Sequence, residues 1–168
     1  AYGVFSVLPA NLEADAEVDY GTSLATIAAE AGVEHFVYSS GASAGNQRTG
    51  VPRFDAKPRI EAHIRDLPLA STIIRPTIFM EMLVRPGLGL DEGRLVSLIR
   101  PEQSIQLTAV ADIGKFVAAI CSDKARFAGI TMKVASDRLT GRELGAALTR
   151  VAGRPIIYER FSDEVLAA

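Results

Sequence analysis

Residues 35–77 read HFVYSSGASAGNQRTGVPRFDAKPRIEAHIRDLPLASTIIRPT, and their pattern decides the fold. An unbroken apolar run, His35 to Ser40, leads into a loop with Gly41, Gly45, Gly50 and Pro52. A helical segment follows, and then a second apolar run, Ser71 to Ile74, closed by Pro76. Short apolar runs bounded by glycine and proline fit strands buried on both faces, and a helix between two of them makes a parallel unit. Ligands of parallel α/β sheets bind in the crevice beyond the carboxyl ends of the strands. Here that end carries Ser39, Ser40, Pro76 and Thr77.

Within this stretch, Asp55 is the expected N-cap of the helix, which puts Lys57, Ile60, Glu61 and Ile64 on or near one face. Pro58 then falls in the first turn, where its missing N–H has no helical partner to lose. Proline also biases the residue before it away from helical ψ, so the direction of Lys57 is left open.

Towards the N-terminus, Val4 to Leu8 reads as a short buried strand stopped by Pro9. The following helix ends near Ala31: Val18, Gly21, Leu24, Ala28 and Ala31 recur at helical spacing, and Gly32 supplies the stop. Its thin face suits close packing against a sheet. Towards the C-terminus, MEMLVRPGLGLDEGRL reads as a short helix and a loop or lid, and Ser104 to Val110 as a strand. Asp112 should cap a helix carrying Ile113, Phe116, Val117 and Ile120, and Ile130 to Ala135 forms another strand. Thr140 and Glu143 make a capping box for a helix through Leu144, Leu148 and Val151, ended by Gly153 and Pro155. Ile156 to Glu159 gives a last strand, and Ser162 opens a terminal helix with two acids behind it. Alternating strands and helices predict an α/β fold, a parallel sheet with helices on both faces.

The chain has 168 residues and a formal net charge of −2, which suits one domain and gives no electrostatic case for direct nucleic-acid binding. No run approaches the roughly 20 apolar residues of a membrane span. Cys121 has no second cysteine to pair with and sits in the apolar run FVAAIC, so a small core residue in a reducing, cytoplasmic setting is the expectation. His35 and His63 lack partners at metal-ligand spacing, so no metal site is expected. No Ser, His and Asp arrangement reads as a nucleophilic triad.

VFSV near the start, then AGVEHFVYSSGASAG, TGVPRFDAKPRIE, TIIRPTIFMEML, VADIGKFVAAI and LTGREL, in this order, resemble NmrA-like proteins, atypical members of the short-chain dehydrogenase/reductase superfamily. The resemblance covers nearly the whole chain. It implies a Rossmann-type fold that binds NADP or NAD, with activities ranging from nicotinamide-dependent reductase to redox sensor. VFSV resembles the family's fourth strand. The expectation is therefore a single incomplete NAD(P)-binding domain over 1–168, without the first strands and the glycine-rich phosphate turn, in which 80–168 form a smaller substrate-side portion. Cofactor binding by these residues alone should be weak or absent. Val4 to Val7 should be an exposed strand edge that recruits a second copy, giving a homo-oligomer.

The resemblance also implies residue roles. Lys57 matches the lysine that lies near the nicotinamide ribose and assists proton transfer; by residue type alone it would be a solvated lysine. The superfamily's proton-donating tyrosine would stand at Arg53. Ser39 and Ser40 match serines whose hydroxyls reach the nicotinamide or a substrate carbonyl, with loop capping as the alternative. Leu8 and Pro9 match the turn that passes the cofactor, and Pro76, Thr77 and Phe79 the segment beside the nicotinamide. Phe54, Met80 and Met82 line a substrate pocket or pack as core. Gly87, Gly89 and Gly93 spell a glycine pattern that reads as a loop rather than a phosphate cradle. Two function classes stay open: a reductase of a small quinone, carbonyl or imine, in which Lys57 and Ser40 are catalytic, and a sensor or transcriptional co-regulator that reports the cofactor's redox state.

Overall fold

A computed structural model describes residues 1–9, 11–42 and 49–167; Gly45 of the glycine-rich loop lies outside the described residues. The first half of the chain runs β1 (Gly3–Val7), α1 (Ala14–Glu30), β2 (His35–Ser39), α2 (Pro52–Asp66), β3 (Ser71–Pro76) and β4 (Ile78–Phe79), then a 3₁₀ turn at Met80–Val84. It continues through β5 (Arg94–Ser97), β6 (Ser104–Thr108), α3 (Val110–Ser122), α4 (Lys124–Phe127) and β7 (Thr131–Val134). The last elements are β8 (Asp137–Thr140), α5 (Gly141–Ala152), β9 (Ile157–Arg160) and α6 (Asp163–Ala167). The chain divides into two compact units, 1–77 with 111–134 and 78–110 with 135–168. Residues 111–134, assigned by sequence to the smaller C-terminal portion, thus join the first unit.

In the first unit β1, β2, β3 and β7 form a parallel sheet in that order. Alternation along the strands sends Phe36, Tyr38 and Ile73 into one core with Val18, Ala25 and Ala28 of α1 and Ala56, Ile60 and Ile64 of α2. Val37, Ile74 and Val134 face the other way and meet Ile120 of α3. Helices on both faces explain why β2 is buried at every position.

Several local expectations change. Leu24 is half-exposed, and Ala25 takes the inward place on α1. Gly21 serves helix packing rather than a sheet contact: a Cβ there would lie 2.7 Å from Ile60 Cδ1 of α2. Asp55 is not the N-cap of α2. The helix starts four residues earlier, with Val51 at the cap and Pro52 at the first position, where proline's preset φ suits a helix start. The Asp55 carboxylate instead reaches back to the backbone N–H groups of Thr49 (2.7 Å) and Gly50 (3.0 Å). Pro58 therefore lies inside the helix rather than in its first turn. Likewise α3 opens at Val110, and Asp112 sits in its first turn, paired with Lys115.

The second unit holds two small sheets, β4-β6-β8 and β5-β9. Leu95, Leu107, Leu144, Ile156 and Tyr158 make its core. The Thr140–Glu143 capping box forms as expected, and Gly153 ends α5 with a φ of 65°. Ser162 accepts from Val165 N at the start of α6.

Candidate functional site

The carboxyl ends of β1, β2 and β3 bring most of the candidate residues to one side of the first unit. Leu8 packs partly buried against the α1/α2 core, and Pro9 is exposed. Ser39 and Ser40 are buried, as is Pro76. Past the strand ends the backbone keeps pairing: Ser40 N donates to Ile74 O at 2.8 Å, Ala42 N to Pro76 O at 2.9 Å and Thr77 N to Val134 O at 3.3 Å.

Lys57 turns inward despite Pro58. Its Nζ donates to Glu17 Oε1 at 2.6 Å, with the two side chains 24% and 7% exposed. Glu17 stands in the first turn of α1, directly after β1, so the ammonium is held near the carboxyl end of the sheet. Arg53, at the tyrosine position, is exposed in the first turn of α2, and Phe54 beside it is 44% exposed.

Ser40 is committed elsewhere. Its hydroxyl donates to Glu61 Oε1 at 2.6 Å, and a hydroxyl has one proton to give. The carbonyl-donor role expected for Ser40 would require that bond to break, whereas its lone pairs can still accept. Glu61 is fully buried and also takes a bidentate grip from Arg75, at 2.9 and 2.6 Å, and a bond from Arg65 at 2.7 Å. Burial alone would raise its carboxyl, but these donors outweigh that and hold it below the ordinary glutamate value.

Sequence reasoning missed Glu17, Glu61 and Arg75 as a working set. The available signal was positional: Glu17 shares the spacing of Gly21, Ala25 and Ala28, and Arg75 alternates with Ile73 on β3. It also missed two hydroxyls. Ser6 and Tyr38 are register partners across β1 and β2, both buried, and neither Oγ nor OH has a partner among the described residues. Burial first, then the charges of Glu17 and Glu61, push the Tyr38 phenol well above its ordinary value, so it keeps its proton.

Phe79, Met80 and Met82 belong to the second unit. Phe79 pairs with Thr108 across β4 and β6, Met80 packs on the Leu95–Tyr158 core, and Met82 is 43% exposed. Gly87, Gly89 and Gly93, each with positive φ, form turns leading into strand β5 rather than a helix N-terminus. Gly89 O accepts from both Glu92 N and Arg94 N, so this loop is a turn closed on its own backbone. Among the described residues no group of three or more His, Cys, Asp or Glu could hold a metal ion, and no helix is long and apolar enough to cross a membrane.

A match to the NmrA-like family extends over residues 1–168. The chain belongs to the NmrA-like family. An NmrA-like family domain-containing protein of Dictyostelium discoideum is 26% identical over 163 residues, covering 89% of this chain and 54% of that protein. NmrA, a negative transcriptional regulator solved in complex with NAD, superposes with a TM-score of 0.82 at 23% identity, over 96% of this chain and 53% of that one. The triphenylmethane reductase of Citrobacter sp., complexed with NADP(H), gives 0.81 at 17% identity, over 98% and 57%. At these identities the likeness establishes a Rossmann-like α/β fold. The NmrA-like chain described here spans about half the length of these relatives.

Proposed function

We propose that this NmrA-like chain carries the nicotinamide end of an NAD(P)(H) site and belongs to a reductase of a small quinone, carbonyl or imine. The observation that carries this reading is the Lys57 ammonium, seated on buried Glu17 at the carboxyl end of a parallel sheet. Cofactor-bound relatives of the same fold support it. The residues of the first unit fit the nicotinamide and its ribose: Leu8 and Pro9 supply an apolar turn, Ser39 and Ser40 supply acceptors, and Pro76 and Thr77 form the neighbouring edge. Phe54, exposed in the first turn of α2, is proposed to contribute an apolar contact to the substrate. No pyrophosphate cradle occurs among the described residues.

A bound reduced nicotinamide supplies the hydride. Lys57 supplies the proton to the oxygen or nitrogen that gains charge, and recovers it from water. Arg53 is a poor donor, because a guanidinium does not release its proton in proteins.

In the full-length protein, Lys57→Ala should lower NADPH-dependent turnover of a quinone at saturating cofactor by about 10²- to 10⁴-fold, the usual worth of a general acid. Arg53→Ala should change it far less. The sensor reading has its own support in the exposed arginine at the phenol position and in the likeness to NmrA, a negative transcriptional regulator. Tight NADPH binding with no oxidation across a panel of quinones, carbonyls and imines would establish that reading instead.

A further inference from the structure

Glu17 lies on the inward face of α1 with Val18, Gly21, Ala25 and Ala28, and its side chain is 7% exposed. An ionised carboxylate is costly to bury unless it is paired. The hydroxyls of Ser6 and Tyr38 lie on the same side of the sheet, and neither has a hydrogen-bond partner among the described residues, Glu17 included. The ion pair that the described residues give Glu17 is with Lys57, across the α1–α2 contact.

A lysine is a point charge on a four-carbon arm, free to follow solvent unless something holds it. Here the arm leaves α2 beside a helix-interior proline and is drawn back to a charge in the first turn of α1. We propose that Glu17 is the positioning residue for Lys57: its buried carboxylate fixes the ammonium at the carboxyl end of the sheet and limits its contact with solvent to the part of the side chain that stays exposed. The proposal rests on the role given to Lys57 above.

The lysines of this chain are Lys57, Lys115, Lys124 and Lys133, so acetylation by an activated ester can be followed lysine by lysine by peptide mass spectrometry. Lys115, with its side chain 78% exposed, is the internal reference. In the full-length wild type, Lys57 should acetylate about tenfold more slowly than Lys115, and in Glu17→Gln the two rates should converge, because a partly buried pair is broken. Glu17→Asp keeps the charge but shortens the arm by one methylene, and should label at an intermediate rate. In quinone reduction, Glu17→Gln should lower kcat about tenfold or more, within the range of a misplaced general acid, while the NADPH Kd stays within about threefold. Glu17→Asp should recover part of that loss.

Equal labelling of Lys57 and Lys115 in the wild type overturns the proposal, as does unchanged labelling in both variants. If Glu17→Gln does not fold, Glu17→Asp decides alone, and wild-type protection in it counts against Glu17. Deprotected labelling with unaltered kcat also overturns it, since Lys57 would then act without being positioned. A wild type that oxidises no cofactor removes the reductase reading, and the labelling series still decides whether Glu17 holds Lys57.

Discussion

Glu61 and His35 are both fully buried, and they respond to acid in different windows. Donors from Arg75, Ser40 and Arg65 hold the Glu61 carboxyl below its ordinary value despite burial. The stability it contributes is therefore present above roughly pH 4.3 and is lost as pH falls through the folded value. For His35, Thr72 Oγ1 donates to Phe127 O at 2.7 Å, so its contact with His35 Nε2 at 2.8 Å must be donated by the ring. That fixes the Nε2–H tautomer and leaves Nδ1 without a partner among the described residues. Burial, aided by the charge of Lys124, lowers the His35 pKa. The unfolded chain then binds the extra proton first, so stability is complete above roughly pH 6.5 and falls below it, by at most about 1.4 kcal/mol per pH unit. Denaturant unfolding should show this slope between pH 7 and 5, and His35→Gln, which can still donate to Thr72, should flatten it. Glu61→Gln should cost about 3–5 kcal/mol at neutral pH, since it strands the Arg75 guanidinium. A loss under 1 kcal/mol would mean that the cluster is a solvated surface pair.

Two helix glycines separate packing from propensity. A Cβ on Gly21 would lie 2.7–3.0 Å from Ile60, which is itself fully buried. Gly21→Ala should destabilise by about 1–3 kcal/mol, less the modest gain in helix propensity. Gly114 in α3 has ordinary φ and nothing within 4 Å of the same position, so Gly114→Ala should stabilise by about 0.5–1 kcal/mol. Melting temperatures that move in opposite directions would bear this out. The element order around these helices was readable because period, proline and glycine are local signals. What escaped was non-local. The start of α2 turned on Pro52 rather than Asp55, and β5 and β8 were not identified because Arg94–Ser97 and Asp137–Thr140 are too short to show a period. The candidate site divides the same way. Ser40 and Lys57 were found by motif, but their partners Glu61 and Glu17 lie 21 and 40 residues away, and no spacing rule links them.

For the molecule as a whole, the phosphate-binding turn is the part not found among the described residues. The resemblance to NmrA-like proteins predicts weak NADPH binding by these 168 residues alone; low-micromolar affinity by titration calorimetry would contradict that and return attention to the Gly87–Gly93 turn. The sheet of the first unit makes a second prediction. β1 is its edge strand, paired on one side with β2, and Phe5 and Val7 are 40% and 62% exposed along it. An apolar edge with unpaired backbone groups is a template for another strand, and natural proteins blunt such edges with charges, lysine above all. β1 carries none in GVFSV. Copies of this chain are thus expected to pair through it, and light scattering at rising concentration should report a dimer or larger species. Val7→Lys, at the carboxyl end of the strand, should shift the population towards monomer without a loss of melting temperature, because Val7 packs against little in the single copy. A wild-type chain that stays monomeric at high concentration would remove the edge as an interface, and an association that Val7→Lys leaves untouched would move it to another surface.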